Sequence, residues 1–524
     1  MPSPTELWRY QGGGSESTDY LYGASVAADG SVFLAGSSSS QWNATSAGGN
    51  DFSAAKLDSD GNFLWAWQEG SERDDIMTAA AAVSDGGVVL AGYFNGTWDG
   101  VISQGEVDFA AVKLDSAGTV MWRWQTGTIY DDYLYACVET TDGNVVVAGH
   151  SIGSVKGTAS AGFNDIVAVK LNVNNGEEIW TYQAGKSATG GTYAYAAAAR
   201  EDGSIVLAGR TYGQFHTPLT TTDGYTDFAA VAIDENGTEL WRWQDGAVSG
   251  WNRFSACTAL DDGSVILGGY TEGDWNGTNK GGYDFAVVKL SALGEEEWRR
   301  QNGTALHDQW AGAATTIDGS IVLAGYTEGA WAGTQDIRLD EVRDFAAMAM
   351  DDEGLQLWSY QDGTDDQDDV NAVAVGPDGS ILLAGWTDGT WTTTGNTDLF
   401  IDYAVVIIDG SELTIPSPQA TTSSTGTPSS TRLTPTPTPG PSSTVGPNSS
   451  PSGTSSAFTI GGAAAGGVFL VILGVLLCRR SRRSTNVATK TSSPVESRQY
   501  PAAAPADGPM PPPPSYSQMV ALRS

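Results

Sequence analysis

Cysteine and histidine are scarce in this chain of 524 residues, with three of each. Three cysteines are too few for a disulfide scaffold, so packing must hold the core together. The histidines, His150, His216 and His307, have no spacing typical of metal ligands. Cys-x-x-Cys and phosphate-binding glycine-rich patterns are absent as well. The sequence therefore contains no pattern typical of a metal centre or a nucleotide site, and we expect no cofactor.

Basic residues are also few: Lys and Arg total 26 against 62 Asp and Glu, a net charge of −36. The balance is −42 over residues 1–412, +1 over 413–478 and +5 over 479–524. So acidic a region repels phosphate backbones, and we expect no nucleic-acid partner. The contrast between the two ends indicates that they lie in different compartments.

Glycine (66 residues) and tryptophan (18) are abundant, and they fall within a repeat. Three marks each occur seven times, 56 to 62 residues apart. The first mark, Asp-Gly before an apolar run, begins at Asp29, Asp85, Asp142, Asp202, Asp262, Asp318 and Asp378. The second, Asp before an apolar strand such as DFAAVKL, begins at Asp51, Asp108, Asp165, Asp227, Asp284, Asp344 and Asp402. The third, Trp-x-x-Gln, begins at Trp8, Trp65, Trp122, Trp180, Trp241, Trp298 and Trp358.

Each unit is predicted to form four short strands, because alternating runs separated by Asp-Gly or Asn-Gly turns are typical of hairpins. Four-stranded units repeated seven times predict an all-β, seven-bladed β-propeller over residues 1–411. The seventh unit lacks its Trp-x-x-Gln strand, whereas the chain begins with one, LWRYQ at 7–11. We therefore expect the N-terminal strand to complete blade seven and close the ring.

The segment DGSVILGGYTEGDWNGTNKGGYDFAVVKL, residues 262–290, resembles the seven-bladed beta-propeller repeat (SBBP) family. Its units share the Gly-Tyr-Thr stretch and the Asp-Phe-x-x-Val-Lys-Leu strand, and the resemblance covers about residues 6–411. It implies a propeller but no particular activity. A fainter similarity to quinoprotein-type repeats, carried by Asn172, Gly176 and Trp180, implies contacts that dock one blade on the next.

The long loops of all units are expected on one face of the ring, which is the candidate binding surface. Six of seven units place an aromatic residue six positions after the glycine that ends the second strand. These candidate ligand-binding residues are Trp42, Trp98, Phe215, Trp275, Trp331 and Trp391, with Val155 in the third unit. They could stack on sugars or fill the gaps between blades, and strict repetition favours packing.

Acidic residues on the same loops could either bind Ca²⁺ or cap the starts of strands. Clustered carboxylates can hold Ca²⁺, but no loop has a recognised acidic Ca²⁺ pattern, so strand-start capping is the favoured interpretation. The acids are Asp74, Asp75, Asp131, Asp132, Asp308, Asp368 and Asp369. The hydrolase-like pattern GHSIG, residues 149–153, leads into a loop rather than a helix, so we predict no catalytic role for Ser151. No catalytic residue is assigned.

Residues 412–456 are rich in Ser, Thr and Pro and are predicted to form a disordered, O-glycosylated stalk. Residues 457–478 carry no charge and are long enough for one transmembrane helix. The basic run RRSRR follows, which predicts a cytoplasmic tail at 479–524 and an extracellular propeller. The first residues, MPSPTELWRYQ, have no apolar signal segment, and we expect one upstream.

Short motifs agree with this type I plasma-membrane topology. N-glycosylation sequons occur at Asn43, Asn95, Asn236, Asn276, Asn302 and Asn448. Cys478, beside the basic run, is a palmitoylation candidate. In the proline-rich tail, Pro513, Pro514 and Tyr516 form Pro-Pro-x-Tyr, which resembles a WW-domain ligand and predicts a cytosolic WW-domain partner.

These patterns together predict a single-pass cell-surface glycoprotein. Its propeller would bind an extracellular glycan or protein, as in adhesion or reception, while its tail recruits cytosolic partners. One alternative is an ectoenzyme that uses two carboxylates, which needs a facing pair of acids in a pocket. The other is a structural coat protein without a ligand.

Overall fold

The Asp-Gly turns close tight hairpins in the computed structural model of the chain. In the first, Asp29 accepts the N–H of Ser31 (3.0 Å) and Gly30 has a φ of +82°. A left-handed φ of this kind suits glycine. The same glycine has a positive φ in all seven turns. The structure describes residues 4–14, 17–42, 46–160, 163–185, 190–216, 225–331, 342–391, 401–410 and the backbone of 470–471.

The strands follow one another as seven antiparallel units in the described residues. The N-terminal strand is β1 (Glu6–Gly12). Blade 1 contains β2 (Asp19–Val26), β3 (Val32–Ser38), β4 (Asp51–Leu57) and β5 (Phe63–Glu69). Blade 2 contains β6 (Ile76–Ala82), β7 (Val88–Phe94), the small hairpin β8 (Thr97–Trp98) and β9 (Val101–Ile102), β10 (Asp108–Leu114) and β11 (Val120–Thr126). Blade 3 contains β12 (Asp132–Glu139), β13 (Val145–Ser151), a 3-10 turn (Val155–Gly157), β14 (Asp165–Leu171) and β15 (Glu178–Ala184).

The remaining blades repeat this order. Blade 4 contains β16 (Thr192–Ala199), β17 (Ile205–Thr211), β18 (Asp227–Ile233) and β19 (Glu239–Asp245). Blade 5 contains β20 (Asn252–Ala259), β21 (Val265–Thr271), β22 (Asp284–Leu290) and β23 (Glu296–Asn302). Blade 6 contains β24 (Asp308–Thr315), β25 (Ile321–Thr327), β26 (Asp344–Met350) and β27 (Gln356–Asp362). Blade 7 contains β28 (Asp368–Val375), β29 (Ile381–Thr387) and β30 (Asp402–Ile408).

Blade 7 is completed by β1, which pairs antiparallel with β30 so that Arg9 lies opposite Val406 and Tyr10 opposite Val405. The all-β seven-bladed propeller and its closure by the N-terminal strand are thus confirmed. The first strand of each blade is innermost and packs against the innermost strands of its two neighbours. Asp-Gly and other tight turns lie on one face, here called the turn face, and the long loops lie on the opposite loop face.

The core lies between the blades. Small apolar residues fill the innermost strands, and Cys137 and Cys257 occupy such positions as free, buried thiols. On the turn face, six of the seven outer-strand tryptophans dock on the following blade in the described residues. Trp8 donates its Nε1–H to the carbonyl of Ser59 (3.0 Å), and its ring covers Gly61, where a Cβ would lie 2.7 Å from it. The docking of one blade on the next that the sequence led us to expect is therefore present.

No helix in the described part of the chain is long and apolar enough to cross a membrane. The predicted stalk (412–456), span (457–478) and tail (479–524) lie outside the described residues, except for Leu470 and Val471. The backbone of those two forms β31 (Leu470–Val471), which pairs with β28. The boundaries of these three segments stay predictions, as do Cys478, Asn448 and the Pro-Pro-x-Tyr motif at 513–516.

Candidate functional site

The glutamine of Trp-x-x-Gln holds the long loop of its own blade in place. In blade 5, Gln301 donates from Nε2 to Asp284 (3.1 Å) and to the carbonyl of Gly273 (3.0 Å). Its Oε1 accepts the backbone N–H of Trp275 (2.8 Å). Five other blades repeat this clamp, with Gln68, Gln183, Gln244, Gln361 and Gln11. The clamp explains why the motif recurs.

The clamps place five of the six candidate ligand-binding aromatics, whereas Trp98 has only a bond from Gln125 to its carbonyl. The rings contact the preceding blade. Trp331 lies 4.7 Å, centroid to centroid, from Phe285, and Trp391 lies 4.4 Å from Phe345. Trp98, Phe215, Trp275 and Trp331 are buried, whereas Trp42 and Trp391 are half-buried. Packing between blades is the contact that the structure displays. Ligand stacking by these rings stays a prediction.

The acidic residues at the starts of the innermost strands act as caps. Asp132 accepts the backbone N–H of Thr128 (2.5 Å), and Asp308 accepts that of Thr304 (2.5 Å). Burial raises the pKa of Asp132 and of Asp308 to about 6, and that of Asp75 and Asp368 to about 7. Among the described residues, no group of three or more His, Cys, Asp or Glu side chains is arranged to hold a metal ion.

Several other candidates can also be located. Ser151 is fully buried, and its Oγ accepts the N–H of Gly153 (3.1 Å) in a loop, as its repeat position predicted. Asn236 and Asn302 are exposed and Asn95 is half-buried. Asn276 is exposed, but its Nδ2 donates to the carbonyl of Arg299 (2.6 Å). Asn43 lies outside the described residues.

A set of residues that the sequence did not single out meets at the loop-face end of the inner strands. Each blade places one cross-strand pair at this level, between its innermost and second strands. The pairs are Tyr20–Ser37, Ile76–Tyr93, Tyr133–His150, Tyr193–Arg210, Arg253–Tyr270, Gln309–Tyr326 and Asp369–Trp386. The flanking positions repeat closely, whereas these pairs differ from blade to blade.

In blades 2 to 5 the pairs join into one continuous patch. We call this patch the tyrosine–arginine cluster; it contains Tyr93, Tyr133, Tyr135, His150, Tyr193, Tyr195, Arg210, Tyr212, Trp251 and Arg253. Ring centroids lie 4.9 Å apart for Tyr93 and Tyr133, and 4.7 Å apart for His150 and Tyr193. Each of these two contacts joins neighbouring blades, so the cluster is formed by the closed ring and by no single repeat.

Local backbone geometry makes room for the cluster. The pairing of β12 with β13 shifts between Leu134 and Ala136, and that of β16 with β17 shifts between Ala194 and Ala196. Tyr135 and Tyr195 occupy these β-bulges, which are a common means of re-aiming a side chain. Opposite the bulge, a Cβ on Gly209 would collide with the carbonyl oxygen of Tyr193. Glycine therefore permits the close approach of the two strands.

The cluster combines positive charge with neutral aromatic hydroxyls. The Arg210 guanidinium carbon lies 5.0 Å from the ring centroid of Tyr193 and 5.4 Å from that of Tyr212. Arg253 lies 3.9 Å from the ring of Tyr195. Burial raises the pKa of Tyr133 and of Tyr212 to about 12, so both hydroxyls are neutral at physiological pH.

His150 lies below these rings and is uncharged. Burial lowers its pKa to about 3, and the charges of Arg210 and Arg253 contribute to the decrease. Glu272 stands at the edge of the cluster, where it accepts the backbone N–H of Trp251 (3.0 Å). Because Tyr93, Tyr133, Tyr193, Arg210, Tyr212 and Trp251 are half-buried, the patch is open to solvent on one side.

Sequence reasoning missed this cluster, although one signal was available. The next-to-last residue of the second strand has five different identities among the seven blades, within a repeat that is otherwise regular. Variation at one position of a rigid repeat is expected where the fold requires no particular side chain. The contacts between blades could not be deduced from that signal alone.

Comparison with known proteins gives limited further information. No family model matches the chain, and no curated protein matches it. One similar solved structure is the Neurospora crassa Pan2 WD40 domain, 12% identical, with 78% of this chain and 96% of that chain covered and a TM-score of 0.43. Another is a catalytically inactive virginiamycin B lyase from Staphylococcus aureus, 10% identical, with 76% and 99% covered and a TM-score of 0.44. The fold assignment rests on the blade pairing itself and takes nothing further from these matches.

Proposed function

We propose that the propeller is a ligand-binding module and that the tyrosine–arginine cluster is its binding site. The observation that carries this proposal is the contrast between the varied cross-strand pairs and the regular repeat around them. A packing requirement recurs with the repeat, as the Gln clamp does in six blades. A tyrosine stands at the level of the pairs in six blades, but Tyr20, Tyr270 and Tyr326 are buried, whereas Tyr93, Tyr133 and Tyr193 are half-buried.

The chemistry of the cluster favours a glycan over a large protein surface. Aromatic rings with neutral hydroxyls can stack on a sugar ring and hydrogen-bond its hydroxyl groups. The patch is confined to the loop-face end of a few inner strands and is framed by long loops. A monosaccharide or a glycan end fits a patch of this extent between long loops better than a flat protein surface does.

A glycan array probed with the full chain tests this proposal. We expect the wild-type chain to bind a subset of glycans and the Tyr212→Ala variant to lose that binding. Tyr283→Ala is the matched control, because Tyr283 is a half-buried loop-face tyrosine in blade 5 outside the cluster. An array without wild-type binding, or equal loss in both variants, would contradict the proposal.

The topology predicted from the sequence completes the proposed function. In this proposal the chain is a single-pass cell-surface glycoprotein related to the SBBP repeat family, with the propeller outside and the tail in the cytosol. The mucin-like composition of 412–456, the uncharged stretch 457–478 and the basic run after it support the arrangement. Protease treatment of intact cells should remove the propeller and leave the tail protected.

The tail is proposed to recruit a WW-domain protein through its Pro-Pro-x-Tyr motif. A polyproline II segment presents its prolines to an aromatic groove at small entropic cost. A pull-down with an immobilised WW domain should retain the wild-type chain and lose the Tyr516→Ala variant. Equal retention of both would remove this partner from the proposal.

A further inference from the structure

We infer that the ligand of the tyrosine–arginine cluster is an acidic sugar, whose carboxylate is bound by Arg210. This inference rests on the proposed function and specifies the class of its ligand. The sector involved is formed by blades 3, 4 and 5.

The surroundings of Arg210 carry the first part of the argument. Among the described residues, Arg210 forms no ion pair, and its contacts are to the rings of Tyr193, Tyr195, Tyr212 and Trp251. Its Nε is buried and has no acceptor there. A buried donor without a partner is costly, and a charge-assisted bond to a carboxylate would relieve that cost. An arginine also binds a carboxylate through two parallel hydrogen bonds.

The repeat itself supplies the second, independent part. In five blades a buried aspartate begins the innermost strand or directly precedes it, namely Asp19, Asp75, Asp132, Asp308 and Asp368. In blades 4 and 5 the equivalent residues are the uncharged Thr192 and Asn252. These two precede Tyr193 and Arg253 of the cluster. The repeated acid is therefore missing in the two blades that supply Arg210 and Arg253, whereas blade 3 keeps Asp132 before Tyr133.

The two uncharged residues keep the hydrogen bond of the aspartates they replace. Asp308 accepts a hydrogen bond from Thr327 Oγ1 (2.5 Å), and Asn252 accepts one from Thr271 Oγ1 (2.6 Å). Thr192 Oγ1 lies 3.0 Å from Thr211 Oγ1. The hydrogen bond to the second-strand threonine is thus kept at both positions, while the carboxylate is absent. An anion bound near these positions would account for the absence of the carboxylate.

The charge of the whole chain limits the size of the anion. A net charge of −36 repels a polyanion, whereas a single carboxylate carries one charge and can be held by one half-buried arginine. Of the rings next to Arg210, those of Tyr193, Tyr212 and Trp251 are half-buried and so provide stacking faces for the apolar side of a sugar. A single acidic monosaccharide or terminal residue fits these constraints.

Glucuronate and glucose form a matched pair of probes, because they differ at one carbon, which is a carboxylate in the first and an alcohol in the second. With the full chain in titration calorimetry, we expect glucuronate to bind about 10- to 100-fold more tightly than glucose. Arg210→Gln should abolish this preference, and Arg210→Lys should restore part of it. Galacturonate with galactose gives a second pair of the same kind.

A second variant keeps the test valid if Arg210→Gln fails to fold. Thr192→Asp introduces the acid that five other blades accommodate, beside the same threonine partner. We expect it to fold and to weaken glucuronate binding at least tenfold while leaving glucose binding unchanged. Unchanged glucuronate binding in Thr192→Asp would overturn the inference.

Three other results would also overturn it: equal affinity for the charged and neutral sugars, a preference retained in Arg210→Gln, or no binding of either acid. A glycan array on which Tyr212→Ala loses binding of neutral glycans would leave the proposed function intact while rejecting the acidic ligand. The failure of the inference is therefore distinguishable from the failure of the proposed function.

Discussion

Gln11 in the first strand donates a hydrogen bond from Nε2 to Asp402 in the last blade (3.0 Å), across 391 positions of the sequence. The same side chain donates to the carbonyl of Gly389 (2.9 Å) and accepts the N–H of Trp391 (2.8 Å). These three bonds repeat the clamp of the other blades. The ring is thus closed by the same contacts that hold each blade together.

Gln11→Ala should lower the free energy of unfolding by about 1–3 kcal/mol, because it leaves the buried Asp402 carboxylate and two backbone groups without this partner. Urea denaturation of the full chain measures the change.

Deleting residues 1–12 should lower the free energy of unfolding much more than Gln11→Ala does, since it also removes the whole of β1 and exposes the edge of β30.

Gln125 is the matched control for that experiment. Among the described contacts, it donates to the carbonyl of Trp98 (3.2 Å) and not to Asp108. We expect Gln125→Ala to cost clearly less than Gln11→Ala. Equal costs, or a deletion of residues 1–12 that unfolds at the same urea concentration as the full chain, would refute the role assigned to the clamp in ring closure.

Trp331→Ala should destabilise the chain by about 3–5 kcal/mol, because the ring is 3% exposed and fills the seam between blades 5 and 6. Trp42→Ala should cost less, because Trp42 is half-buried. Thermal and urea unfolding measure both effects. A Trp331→Ala chain that keeps its stability but loses glycan binding would favour the stacking role over packing.

Asp368→Asn should change the pH dependence of stability. Burial raises the pKa of Asp368 from 3.8 to about 7, so its stabilising contribution is complete below about pH 4 and is lost as the pH rises through 7. The variant has no such loss, and relative to wild type it should gain stability between pH 4 and 7, then level off. The gain should be on the order of a few kcal/mol at most.

Asn252 provides the internal precedent for this substitution, because an asparagine already occupies the equivalent position in blade 5. Denaturation midpoints of the two chains measured between pH 4 and 9 test the prediction. A stability difference that does not vary with pH would mean that Asp368 titrates near its ordinary value.

Glycosylation of the propeller should be selective in a eukaryotic secretory host. Asn236 and Asn302 are exposed, so we expect both sequons to be used. Asn276 should be used less, because its Nδ2 is hydrogen-bonded to Arg299. Intact-mass analysis before and after glycosidase treatment, with Asn236→Gln and Asn276→Gln as the matched pair, measures occupancy. No mass change at any sequon would contradict the extracellular placement.

The blades could be predicted from the sequence because their determinants are local. An Asp-Gly turn such as Asp29-Gly30 determines a hairpin within a few residues. The Trp-x-x-Gln motif at Trp8 precedes the first unit instead of ending the seventh, and this position indicated that the N-terminal strand closes the ring. The tyrosine–arginine cluster could not be predicted in the same way. The contact between His150 and Tyr193 depends on how two blades pack, and Tyr195 reaches the cluster through a bulge that period-two alternation does not reveal.

A crystal structure of the chain grown with glucuronate tests the central claim most directly, because the claim states where on the propeller the sugar binds. We predict the sugar on the loop face of blades 3 to 5, with its carboxylate about 3 Å from the Arg210 guanidinium nitrogens and its ring against the tyrosines of the cluster. Glucuronate bound at Trp42 or Trp391, on the turn face, or nowhere on the propeller would contradict the account.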